Sequence, residues 1–224
     1  MEGNTSNRLP LVIGLTGGIA SGKSTVSTRL AALGAAIVEA DGIGHRVIAP
    51  DGAAYRPVVE VFGDEILSPD GTIDRRKLGA KVFADPALLK RLNAISHPLM
   101  AQRMEQEIAR LRGLPVGQRP PLIVLDAAIL LEAGWDRLCD AVWTVEAPPE
   151  TALQRLMARN GLSAEQAATR LNAQWSNAER AARAQRVIPN SGTLEALEAA
   201  VGDLWREATQ PASRVQAPAR NERS

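Results

Sequence analysis

Apolar residues along this chain alternate between two periodicities. Short unbroken runs at Leu9 to Thr16, Ala35 to Ala40, Leu122 to Asp126 and Ala141 to Val145 are dominated by Leu, Val, Ile and Ala. Runs of this length and composition read as strands of a parallel sheet buried on both faces, with Arg186 to Ile188 as a candidate last strand. Between them the spacing becomes helical. Val26, Leu30 and Leu33 fall at i, i+4, i+7, and Gly34 supplies a stop. Pro149 starts a helix carrying Leu153, Leu156 and Met157, and Leu194 to Trp205 forms a closing one. The opening strand, glycine-rich turn, helix and second strand make a βαβ unit of ordinary length.

The middle of the chain, about residues 52–113, reads as helices joined by polar turns. Asp70-Gly71 marks a turn. Asp85-Pro86 is a helix start with Asp as cap and Pro at the first helical position. Pro98 is expected to open a further helix, whose stripe of Met100, Met104, Ile108 and Leu111 reads as core. Later, Ser163 with Gln166 and Ser176 with Glu179 are two capping-box patterns, which predict two short helices broken near Trp175. The expected organisation is a single domain over 9–208. Its core comprises 9–50, 120–149 and 185–208, its lid covers about 150–184, and flexible tails span 1–8 and 209–224.

Composition narrows the function. The 224 residues carry 26 basic and 25 acidic side chains, a formal net charge of +1, which argues against a nucleic-acid binder. Aromatics are too sparse to build a base-stacking platform. The lone Cys139 excludes an intrachain disulfide and a Cys-based zinc cage, and it reads as a small core residue. No run approaches the ~20 apolar residues of a membrane span, and the first residues lack a signal pattern. A cytoplasmic protein with no membrane partner is the expectation.

The chemistry is concentrated in Gly17-Gly18-Ile19-Ala20-Ser21-Gly22-Lys23-Ser24, which fits G-x-x-x-x-G-K-[ST] between a strand and a helix. A polyphosphate must be wrapped by main-chain N–H groups, so the loop needs residues that tolerate close approach and positive φ. The helix N-terminus adds its dipole. Lys23 would reach the β- and γ-phosphates of ATP, and the Ser24 hydroxyl would ligate Mg²⁺. The guanine-reading Asn-Lys-x-Asp of a GTPase is absent.

A kinase also needs a carboxylate to orient or deprotonate the acceptor hydroxyl. Asp41, expected at the end of the second strand, is placed where ligands bind in parallel α/β sheets; the alternative is a turn or cap residue before Gly42. Asp126 ends another strand and would support Mg²⁺ through water, or simply caps the strand. Arg155 and Arg159 fall about 200° and 240° around their helix from Leu153, opposite the core stripe. That placement suits either a solvated face or a lid closing over anions. The segment 150–190 carries six Arg against three Glu, which favours the lid. His97, before Pro98, reads as a cap or a substrate contact.

The chain resembles the dephospho-CoA kinase family. The opening Ile13 to Thr25, Glu39-Ala40-Asp41, Phe62-Gly63, Asp70-Gly71, Asp74-Arg75, Ile95-Ser96-His97-Pro98, Leu130-Leu131-Glu132, Arg155-Leu156 with Arg159, Gln174, and Val187-Ile188 with Asn190 occur in the family's order over roughly residues 11–207. The resemblance implies a P-loop kinase core with a parallel five-stranded sheet, a helical CoA-binding region at about 52–113 and an arginine-bearing lid. It implies transfer of the ATP γ-phosphate to the ribose 3′-hydroxyl of dephospho-CoA, with Mg²⁺. Asp41 would match the acceptor-activating carboxylate, Arg159 and Arg155 the lid cations, and Asn190, with Gly17 to Thr25, the ATP site. His97 and Leu130 would belong to the substrate site. The expected assembly is a monomer or weak homo-oligomer. Two departures from the family stand out: Ala128 and Leu131 replace a Pro and a Phe after Asp126, and Gln185 replaces an Ala-Asp pair's carboxylate. The competing readings are a kinase of another small metabolite, of nucleoside monophosphate or shikimate type, and a non-catalytic ATP-binding module.

Overall fold

The computed structural model describes residues 8–210; most of both expected tails lies outside the described residues. The chain forms two compact units. One takes the chain up to Val38 and from Ile108 onward, and the other is Glu39–Glu107. The boundary at Glu39 lies earlier than the change of character expected near residue 52.

The first unit is built on a parallel sheet in the order β2-β3-β1-β4-β5, from β1 (Leu11–Gly17), β2 (Ala36–Glu39), β3 (Leu122–Asp126), β4 (Ala141–Glu146) and β5 (Arg186–Pro189). The register of β1 pairs Leu15 with Asp126 on one side and with Trp143 on the other. Alternation along β1 divides its side chains between two faces. Ile13 and Leu15 enter a cluster with Val26, Leu30, Trp143, Leu197 and Val201. That cluster is sealed by α1 (Lys23–Ala32) and α9 (Leu194–Thr209), which pack on each other. Full burial of a side chain such as Leu30 stabilises the fold by roughly 1.5–3 kcal/mol. On the other face Gly14 leaves room for neighbours, since a Cβ there would meet Leu130 Cδ2 at 2.5 Å and Cys139 Sγ at 2.8 Å. Cys139 packs against this face half-buried, and burial, with Asp136 and Asp140 nearby, pushes its thiol up to about 12.

The remaining helices of this unit follow their start signals. α6 (Pro149–Asn160) begins at its proline. Both capping boxes form, opening α7 (Ala164–Asn172) at Ser163 and α8 (Asn177–Ala181) at Ser176. The break at Trp175 falls between them. Gln185, the departure near β5, is absorbed by the sheet: its Oε1 accepts the Val142 N–H at 2.6 Å while its own N–H donates to the Val142 carbonyl at 2.8 Å. Among the described residues no helix is long and apolar enough to cross a membrane.

The second unit contains α2 (Ala40–Val47), α3 (Tyr55–Phe62), α4 (Arg75–Ala84) and most of α5 (Pro86–Arg112). The Asp70-Gly71 turn forms as read. Asp70 Oδ1 accepts the Thr72 N–H at 3.0 Å, and the Tyr55 hydroxyl donates to the Gly71 carbonyl. Pro98 does not open a helix; it lies inside the 27-residue α5. An internal proline forfeits one backbone bond and costs about 3 kcal/mol. Here the apolar stripe continues past it through the buried Ala101, Met104, Ile108 and Leu111, and that burial outweighs the local penalty.

Candidate active site

The site is assembled at the C-terminal end of β1. The backbone there leaves the strand at Gly17 and bends through two left-handed residues, Ala20 at φ 61° and Gly22 at φ 97°. Such a bend turns successive N–H groups into one concavity that favours an anion, and α1 starts immediately at Lys23. The first N–H groups of α1 lack intrahelical acceptors and carry the positive end of its dipole. Ala20 occupies a conformation that ordinarily favours glycine.

Asn190, at the end of β5, fixes this loop. It is buried, its Nδ2 donates to the Ser21 carbonyl at 2.8 Å, and its own N–H donates to the Glu146 carbonyl at 2.6 Å. A methyl group at Gly22 would fall 2.1 Å from Asn190 Nδ2, so the loop and the β5 terminus fit only with glycine there. The Lys23 ammonium pairs with Asp126 Oδ1 at the end of β3. The side chains are 19% and 11% exposed, so the pair remains within reach of solvent.

A cavity of about 300 Å³ opens over the loop. Ala20, Gly22, Ser24 and Thr25 form its floor, Arg155 and Arg159 from α6 form one wall, and Asn190, Gly192, Leu194 and Leu197 form the rest. The two arginines, i and i+4 on the helix face away from its core stripe, therefore border the same space as the glycine loop. Three other arginines of the 150–190 segment are not among its lining residues. Arg180 is buried and bonds Glu132, Arg183 lies over the Trp175 ring with 4.9 Å to its centroid, and Arg186 pairs with Glu207. Their charges are committed to neighbours in the fold, so Arg155 and Arg159 are the arginines of the segment that border this cavity.

Asp41 lies in the first turn of α2, exposed, two residues beyond the end of β2; the expectation that it ends the strand is corrected by that helical turn. His97 is half-buried within α5, and burial lowers its pKa. It is not a cap, because the helix runs through it. Leu130 has no exposed surface and packs beside Gly14. His45 contacts Arg75.

Sequence reasoning did not single out Gln174 and Arg180 as parts of this site. Gln174 Oε1 accepts the Ile19 N–H at 2.9 Å, across 155 positions of chain. Arg180 Nη2 donates to Glu132 Oε1 at 2.9 Å, and Nη1 donates to the Trp175 carbonyl. Glu146 ends β4 beside them. Burial raises its carboxyl above the usual range and the charge of Arg180 pulls it partly back. Gln174 and Glu132 entered only as members of the ordered motif set, and Arg180 only through the count of arginines in 150–190.

A glycine loop between β1 and α1, a parallel sheet and cationic side chains facing the loop define a P-loop phosphotransferase. A family model described as dephospho-CoA kinase matches residues 11–196. The chain belongs to the dephospho-CoA kinase family. It is 47% identical to the dephospho-CoA kinase of Geobacter sulfurreducens over 194 residues, covering 87% of this chain and 96% of that one. To the dephospho-CoA kinase of Moorella thermoacetica it is 45% identical over 196 residues, covering 88% and 91%. Among solved structures, TT1252 from Thermus thermophilus superimposes with a TM-score of 0.74 at 34% identity, over 91% of this chain and all of that one. The dephospho-CoA kinase from Campylobacter jejuni shares the fold, with a TM-score of 0.60 at 23% identity over 90% and 99%.

Proposed function

We propose that this enzyme transfers the γ-phosphate of ATP to the ribose 3′-hydroxyl of dephospho-CoA, and that the cavity over residues 20–25 is its ATP site. The observation that supports this most is the convergence of Arg155, Arg159 and Asn190 on the glycine loop, an anion-binding concavity bordered by two cations. In this reading Gly17 to Thr25 cradle the polyphosphate, and Lys23 moves from Asp126 to the β- and γ-phosphates when nucleotide enters. Arg155 and Arg159 stabilise charge on the phosphoryl group in transit, where preorganised cations are most effective. Asn190 keeps the loop in shape beside the adenosine. Asp41 accepts the proton of the attacking hydroxyl, with His97 and Leu130 contributing to the acceptor's surroundings.

Ser24 and Asp126 are the groups that would hold Mg²⁺. A hydroxyl and a single carboxylate suit this hard cation, which usually takes one or two protein oxygens and completes its shell with phosphates and water. No cluster of three or more His, Cys, Asp or Glu able to hold a metal occurs among the described residues. When bound, the ion would neutralise charge on the phosphates. Both substrates are water-soluble metabolites, and we place the enzyme in the cytoplasm as a monomer or weak homo-oligomer.

The test is an assay of the purified full chain with Mg-ATP against dephospho-CoA, nucleoside monophosphates and shikimate, following product and ADP together. CoA formation from dephospho-CoA alone is expected. Absence of CoA, or faster turnover of another acceptor, overturns the assignment. ATP binding without transfer to any acceptor would instead establish a binding module.

A further inference from the structure

A second cavity, of about 340 Å³, borders the opposite side of the glycine loop at Gly18 and Ile19. Its far wall is the turn between α7 and α8, which three side chains fasten in place. Gln174 Oε1 takes the Ile19 N–H at 2.9 Å. Asn177 Nδ2 donates to the Ala147 carbonyl at 3.0 Å. Beneath them Arg180, 1% exposed, holds the Trp175 carbonyl with Nη1 and Glu132 with Nη2. Burying a guanidinium is costly unless it is fully bonded, yet Arg180 Nε and Glu132 Oε2 are buried without hydrogen-bond partners. Such a pair is poor value as a stabiliser. What it accomplishes is geometric: it sets the turn that carries Gln174.

We propose that Gln174 and Arg180 are positioning residues for phosphoryl transfer. Arg180 fixes the 173–176 turn, and Gln174 passes that fixation to the Ile19 amide, so that the glycine loop is held in its anion-receptive shape before nucleotide arrives. The bond braces the loop and does not block it, because the left-handed bends at Ala20 and Gly22 are already present with the bond intact. The same hairpin begins with the helix bearing Arg155 and Arg159, so the brace also sets the lid's base against the loop. The inference rests on the reading of the adjoining cavity as the ATP site.

Gln174→Met in the full chain keeps side-chain length and removes the acceptor. We expect ATP to bind about five- to tenfold more weakly, the worth of one hydrogen bond. Amide exchange at Ile19 should be faster in the nucleotide-free protein, with the melting temperature nearly unchanged. Arg180→Lys, which retains charge toward Glu132 but loses the planar fork, should show the same faster Ile19 exchange and weaker ATP binding. Unchanged ATP affinity and Ile19 exchange in Gln174→Met overturn the proposal, as does tighter binding, which would make the bond a latch that nucleotide must break. A lower melting temperature with normal affinity and exchange in Arg180→Lys overturns the role of Arg180. Lys23→Ala, measured alongside, separates the two readings. If it retains ATP affinity and turnover, the assignment of the ATP site itself fails; if it is inactive while Gln174→Met behaves as wild type, only the brace fails.

Discussion

Lys23, at the start of α1, and Asp126, at the end of β3, form an ion pair beneath the glycine loop. The pair holds the lysine within the site without a phosphate to bind. Lys23→Ala should lower turnover by about 10²–10³-fold, the range for losing one preorganised group that meets developing charge. It should also lower the melting temperature, because Asp126 is left mostly buried beside no cation. Asp126→Asn should spare the loop and raise the Mg²⁺ concentration needed for half-maximal activity by about 10–100-fold. A magnesium titration of both variants checks this. Equal magnesium dependence in Asp126→Asn and wild type would remove Asp126 from the metal's surroundings.

Gly22 and Asn190 are coupled sterically. The Cβ of Gly22→Ala would lie 2.1 Å from Asn190 Nδ2 at a φ of 97°. To accommodate it Asn190 must leave the Ser21 carbonyl, and the backbone strain adds about 1–2 kcal/mol. ATP affinity should fall at least tenfold. Asn190→Ala removes the obstacle along with the tether, so Gly22→Ala should cost less in that background than in wild type. Contacting residues give such non-additive cycles. Strict additivity of the two ATP-binding losses would contradict the geometry.

Asp41 sits exposed in the first turn of α2, so its replacement removes little more than a favourable charge near a helix N-terminus. Asp41→Asn should therefore melt within a few degrees of wild type and bind ATP equally well. Turnover with dephospho-CoA should fall by about 10²–10⁴-fold, the usual worth of general base catalysis. Steady-state kinetics with a separate ATP-binding measurement tests the split. Retained turnover would exclude Asp41 as the base.

What could be read from the sequence divides along physical lines. β3 was legible to the residue and α6 at its start, because a strand buried on both faces is an apolar run and a proline marks N1. Both capping boxes were legible because their partners lie three residues apart. The helix at Ala40–Val47 was not, since Ala35 to Ala40 reads as one apolar strand ending at Asp41, while burial of Ala40, Ile43 and Val47 holds the helix. Pro98 misled through a local penalty overruled by packing. The glycine loop was legible as a motif, and its arginines as a helix face. The ties of Gln174 to Ile19 and of Arg180 to Glu132 span 155 and 48 positions. No local pattern encodes contacts of that kind.

Cys139 offers a test of the core beneath β1. Burial is the main cause that lifts its thiol from 9.0 to about 12, with the charges of Asp136 and Asp140 adding to it and Arg112 opposing. At pH 8 the native thiol should resist iodoacetamide, while the unfolded chain reacts readily, because the thiolate is the nucleophile. The folded pKa lies above the unfolded one, so the native state binds more protons throughout the interval between them. The thiol's contribution to stability is therefore intact below pH 9 and declines as pH rises from 9 toward 12, with a limiting slope of about 1.4 kcal/mol per pH unit. Cys139→Ala should begin less stable, having lost contacts beside Gly14, but its stability should fall less steeply above pH 9. Denaturant titrations of both proteins at pH 8, 9 and 10 measure the difference. Parallel pH profiles, or rapid alkylation of the native protein at pH 8, would show that the thiol is not held protonated by the fold.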